Sequence, residues 1–219
     1  MKTVALTKTY SGRTDLELPA LALASGRICA VIGANGSGKS TMARVMSGVV
    51  STDKGGRVFN GNIQVGYMPQ HSYAFRMSVL KNVCLTGGTK TRARELLGRL
   101  GIGHLAKRGA GTLSGGETAR MALARLMMRP YDLVILDEPT ASMDIESTLL
   151  AEQLMKDYVR ETDCAMLLVT HSLQQARRIA DDAIFLHNGR LIESGPAETI
   201  LYAPEKEETR RFQEFYGAG

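Results

Sequence analysis

The sequence predicts an α/β fold: a mostly parallel sheet covered by helices on both faces. Apolar runs at 27–32, opened by Arg27, and at 133–136 and 165–169 have the pattern of strands buried on both sides. Segments of helical periodicity follow them, and strands alternating with helices close into a parallel sheet. Between the first apolar run and its helix lies a glycine-rich turn, Gly33 to Ser40, of the kind that binds phosphate.

Residues 1–32 read as short strands, with 15–18 alternating between polar and apolar positions. From Lys39 the apolar positions Met42, Val45, Met46 and Val49 fall on one helical face. A strand or hairpin is expected within 55–68, and two or three short basic helices broken by glycines within 78–106. Another helix runs from Gly115 towards Met128 and is stopped by Pro130. Helices are also expected over 145–160 and 173–180. Apolar segments at 183–186 and 191–193 flank Asn188-Gly189, a hairpin signal. A helical segment carrying Phe212 and Phe215 ends the sequence.

At 219 residues, with 44% hydrophobic and 22% charged residues, the composition fits one globular domain with a substantial core. No apolar stretch approaches the ~20 residues that cross a bilayer, and residues 1–8 lack a secretory signal's apolar run. A cytosolic protein is expected. Cys29, Cys84 and Cys164 have no metal-ligand spacing and read as buried thiols. The net charge of +5 is concentrated locally, because residues 81–110 carry seven basic side chains and one acidic, Glu95. That window could meet acidic partners or lipid headgroups, or be a solvated face.

Gly33-Ala34-Asn35-Gly36-Ser37-Gly38-Lys39-Ser40 leaves backbone N–H groups free to converge on phosphate oxygens, which side chains at the glycines would obstruct. Lys39 would reach the phosphates, and the Ser40 hydroxyl is a candidate Mg²⁺ ligand. In Leu133-Val-Ile-Leu-Asp137-Glu138, two carboxylates emerge at the C-terminal end of a buried strand, where parallel sheets bind ligands. Asp137 is placed to hold Mg²⁺ and Glu138 to act as general base towards water.

Leu113-Ser114-Gly115-Gly116-Glu117 then resembles the signature of ABC transporter ATPases. The resemblance implies a P-loop NTPase fold with a small antiparallel β-lobe and a short helical signature lobe. It divides the single domain into a core with its β-lobe (about 1–70 and 131–219) and a helical lobe (about 71–130). It also implies that two subunits sandwich Mg-ATP, each phosphate loop, extended by Thr41, facing the partner's Ser114, Gly115, Gly116 and Glu117. Further positions match one at a time. Tyr10 resembles the aromatic stacked on adenine, Gln70 the glutamine that senses Mg²⁺ and water, His171 the switch histidine, and Asp144 the loop crossing the dimer interface. Glu117 stands where glutamine is common, and the 39–114 stretch is shorter than the family's; function is expected to survive the first departure.

The implied partners are a second ATPase subunit, a transmembrane permease and an extracytoplasmic solute-binding protein, with the chain at the cytoplasmic face of the membrane. Nucleic acid is not expected, although a soluble ATPase acting on nucleic acid or ribosomes is the alternative. Similarity over 70–82 and 204–212 points to bacterial importers of oxyanions or polar amino acids.

Overall fold

A computed structural model describes residues 1–55 and 58–216. They form one eight-stranded sheet in the order β1-β2-β8-β7-β3-β6-β5-β4. Five neighbours run parallel: β7 (Asp182–His187), β3 (Ile28–Ile32), β6 (Ala165–Val169), β5 (Leu133–Asp137) and β4 (Val65–Met68). At one edge, β8 (Arg190–Pro196) pairs antiparallel with β7, and β1 (Leu6–Tyr10) antiparallel with β2 (Arg13–Leu18). The antiparallel part is thus an extension of the main sheet.

Every residue of β3, β5 and β6 is buried, as the unbroken apolar runs require. Alternate side chains of β5 enter opposite layers. Leu133 and Ile135 join Met42, Val45 and Met46 of α1 (Lys39–Met46), whereas Val134 and Leu136 join α4 (Gly115–Leu126) and α5 (Ile145–Thr162). A third cluster, around Phe185 and Phe212, seats α6 (Leu173–Ile179), α7 (Ala197–Tyr202) and α8 (Glu207–Tyr216). Phe212 is buried there while Phe215 is exposed. Burial on both faces explains why the parallel strands lack a polar side.

The expected short basic helices are α2 (Val79–Val83), α3 (Lys90–Arg99) and two 3₁₀ turns. Their charge is partly answered from α5. Arg99 pairs with Asp157 at 2.5 Å and Arg92 with Glu161 at 3.1 Å, so the local excess seen in the sequence shrinks once the chain folds.

Three expectations need correction. Helix α1 ends at Met46 with Ser47 as its C-cap, which leaves Val49 outside the helix and 65% exposed. The strand or hairpin expected over 55–68 includes Gly56 and Arg57, which lie outside the described residues. In the remainder, only Val65–Met68 forms a strand, and Phe59 makes an isolated bridge to Thr3. Cys29 and Cys164 are buried, but Cys84 is only half-buried. Burial pushes the Cys29 thiol up to about 12, so it is inert as a nucleophile.

Candidate functional site

The polar groups collect at the C-terminal edge of the parallel strands. Chain leaving β3 becomes the glycine-rich loop, β4 delivers Gln70, β5 delivers Asp137 and Glu138, β6 leads to His171, and β7 leads to Asn188-Gly189. Strands pointing the same way bring these ends together, although Gln70 and His171 are 101 residues apart in the chain.

The loop turns into α1 at Gly38, whose φ of 98° lies in the left-handed region that a side chain disfavours. No side chain caps this helix, so its first N–H groups and its dipole are directed into the cleft. Lys39 is 5% exposed and folds back on the loop. Its ammonium donates to the carbonyls of Gly33 and Ala34, both at 2.8 Å. Burial lowers its pKa, while the charges of Glu138 and Asp137 act in the opposite direction. The cleft, of about 720 Å³, is lined by Asn35, Gly36, Gly38, Lys39, Ser40, Thr41, Gln70, Glu138 and His171 among others.

Asp137 is 1% exposed, and burial raises its carboxyl above the ordinary value. The Ser40 hydroxyl donates to Oδ1 at 3.1 Å, which opposes that rise, while Oδ2 is buried without a hydrogen-bond partner. A buried carboxylate oxygen left unpaired beside a hydroxyl fits a hard divalent cation. Ser40 and Asp137 could therefore hold Mg²⁺, with Gln70 close by. When bound, that ion supplies charge neutralisation at phosphate oxygens.

Glu138 gathers its neighbours around one carboxylate. Gln70 Nε2 donates to Glu138 Oε2 at 3.0 Å, and His171 Nδ1 lies 3.4 Å from the same oxygen. The backbone of Glu138 is in the left-handed region, φ 50°, with its N–H bonded to Val169 O at 2.9 Å. Such strain in a non-glycine residue persists only where the surroundings enforce it. A carboxylate held this way at the cleft can accept a proton from water.

The signature residues lie elsewhere. Ser114 caps α4 by accepting from the Glu117 N–H at 3.2 Å, and the Glu117 carboxylate accepts from the Ser114 N–H at 2.7 Å. This reciprocal cap can be made by glutamate or by glutamine. Gly116 packs so closely on the 141–144 loop that a Cβ would lie 2.7 Å from Ser142 O. Asp144, in that loop, caps α5 by accepting from the Ser147 N–H at 2.7 Å. A second cleft, lined by Gln70, Gly115, Glu138 and Ser142 among others, joins the start of the signature helix to Gln70 and Glu138 and includes no residue of the phosphate loop.

The structure thus brings together Gly33 to Thr41, Gln70, Asp137, Glu138 and His171; Gly115 shares the second cleft with Gln70 and Glu138, while Ser114, Gly116, Glu117 and Asp144 line neither cleft. Tyr10 stands 41% exposed at the end of β1, with Lys8 Nζ 5.2 Å from its ring centroid, and is not part of the cleft lining among the described residues. Thr14, Asp15, Asn188, Gly189 and Tyr216 line the cleft although the sequence marks none of them as a site residue. The hairpin turn is docked by the Gly189 N–H, which donates to Ser37 O at 3.0 Å. Its Asn-Gly signal indicated a turn but not what the turn would touch.

The ABC transporter family model matches residues 16–141. The chain is 36% identical over 203 residues to the tungstate uptake system ATP-binding protein TupC of Peptoclostridium acidaminophilum, covering 86% of this chain and 95% of that protein. It is also 36% identical over 218 residues to the zinc import ATP-binding protein ZnuC of Alcanivorax borkumensis, covering 96% and 81%. A solved dimeric ATP-binding cassette in a post-hydrolysis state, bound to ADP and Pi, aligns at a TM-score of 0.80 and 25% identity, covering 90% of this chain and 98% of that one. The family match takes in the phosphate loop, the signature helix and the Asp137-Glu138 strand end together, and on that ground the chain belongs to the ABC transporter family as an ATP-binding, ATP-hydrolysing subunit.

Proposed function

We infer that the chain is the motor subunit of a solute importer, working at the cytoplasmic face of a membrane. Two copies, or this chain and a paired ATPase subunit, close around Mg-ATP and drive a separate permease fed by an extracytoplasmic solute-binding protein. The observation that carries this reading is the separation of two anion-binding helix starts. One opens into the cleft with Lys39, while the other, at Ser114, is not part of that cleft's lining, which supports a γ-phosphate shared between two subunits.

Within the shared site, Lys39 and the loop amides hold the phosphates, and Ser40, Asp137 and Gln70 the metal ion. Glu138 takes the proton of the attacking water, with His171 beside it; Tyr10 packs against the base and Asp144 lies at the subunit interface. The described residues contain no helix long and apolar enough to cross a membrane, consistent with a separate permease. Similarity to TupC favours an oxyanion as solute, and similarity to ZnuC keeps the reading at the level of an importer.

The test is affinity purification of the tagged chain from detergent-solubilised membranes in Mg-ATP. Co-purification of a polytopic permease is expected. Recovery of RNA in a salt-sensitive complex, without any permease, would favour the soluble nucleic-acid ATPase instead.

A further inference from the structure

Behind the cleft is a polar unit whose members, Thr140, Glu152, Gln175 and Arg178, do not line it. Gln175 of α6 is 2% exposed and Glu152 of α5 is 3% exposed. Both protons of the Gln175 amide are used: one goes to Thr140 Oγ1 at 2.9 Å and the other to Glu152 Oε1 at 3.2 Å. Arg178 grips the same carboxylate through two N–H groups, at 2.9 and 2.6 Å. With its carboxylate partner fixed, the amide has one orientation, and an unpaired group at this depth is costly.

Two of the three elements joined here lead on from the hydrolytic groups. Thr140 follows Glu138 by two residues, and α6 starts immediately after His171, capped by the Ser172 hydroxyl, which accepts from the Gln175 N–H at 3.1 Å. Glu138, His171, Thr140, Gln175 and Arg178 line one small cleft. The left-handed backbone of Glu138 needs support on both sides: Val169 O supplies it through the Glu138 N–H, and the Thr140 contact supplies it downstream.

We propose that Thr140, Gln175 and Glu152 are positioning residues that hold Glu138 and His171 in register for attack on ATP. The proposal rests on the reading of Glu138 as general base. It assigns the unit no contact with ATP, so its loss lowers kcat and spares nucleotide binding.

Thr140→Val keeps the side-chain shape and removes the acceptor. Its kcat is expected to fall about 10-fold, the order that sub-ångström misplacement produces, with KM for ATP unchanged within about twofold. Thr140→Ser should restore the rate. Because Gln175→Leu cuts the same bond, the double variant should be no slower than the worse single one. Should Gln175→Leu fail to fold, the Thr140 pair alone decides. A Thr140→Val enzyme with parental kcat, a loss confined to KM, or failure of Thr140→Ser to rescue overturns the proposal. Glu138→Gln, assayed alongside, separates the two readings. Persistent hydrolysis in that variant sinks the general-base assignment, whereas a dead Glu138→Gln beside a fully active Thr140→Val sinks only the positioning unit.

Discussion

Asp137 shows how a site residue works against the fold that carries it. Its carboxyl titrates above the ordinary value because it is buried, so the folded chain binds that proton more tightly than the unfolded chain. Carrying the charge therefore costs stability at neutral pH; the cost begins to shrink as pH falls through the folded-state pKa and is gone below the unfolded-state value. Asp137→Asn is expected to melt no lower than the parent at pH 7, with the difference shrinking on acidification while turnover is lost. Paired thermal melts across that range check the sign. A parent that is the more stable at pH 7, with an advantage growing as pH rises, would reverse it. The Asp137 Oδ2 is buried without a hydrogen-bond partner, as expected of an oxygen that would face a cation on the proposed reading.

At the scale of elements, the signature helix and the 141–144 loop form a tight joint. Gly116→Ala places a methyl group 2.7 Å from the Ser142 carbonyl oxygen, and the loop or the helix must shift. Overpacking of this kind costs about 1–3 kcal/mol. ATPase activity is expected to drop about 10-fold or more, while nucleotide binding by the isolated subunit holds, because the cleft around Lys39 is built from other elements. Equal turnover in Gly116→Ala and parent would show that the joint is not part of the shared site.

Much at this scale was legible in the sequence. The runs at 133–136 and 165–169 announced fully buried strands because burial on both faces leaves no polar position to break the pattern. Asn188-Gly189 announced its hairpin because the turn needs positive φ at both residues, and both have it. Helix α1 was overextended to Val49 because spacing carries no information on where the chain turns away, and here Gly48 lies at φ 78° directly after the Ser47 cap. Thr140, Gln175 and Glu152 were invisible for another reason: each is an ordinary polar residue alone, and only the packing of α5 against α6 makes them one unit. Tyr216 was missed likewise, since its place in the cleft follows from how α8 docks on Phe185.

For the whole molecule, the phosphate loop, Asp137, Glu138, Gln70 and His171 converge in one chain, and the signature residues do not line the cleft around Lys39. On the proposed reading this half-site binds ATP and a partner's signature completes the enclosure of the γ-phosphate. That reading makes association of subunits part of the chemistry. The most direct measurement is the mass in solution of Glu138→Gln with and without Mg-ATP, together with its rate of phosphate release. The prediction is a monomer that becomes a stable dimer on adding Mg-ATP and releases almost no phosphate, because the general base is gone while every binding group remains. A variant that stays monomeric in saturating Mg-ATP and still hydrolyses at the parental rate would contradict both the shared site and the role of Glu138.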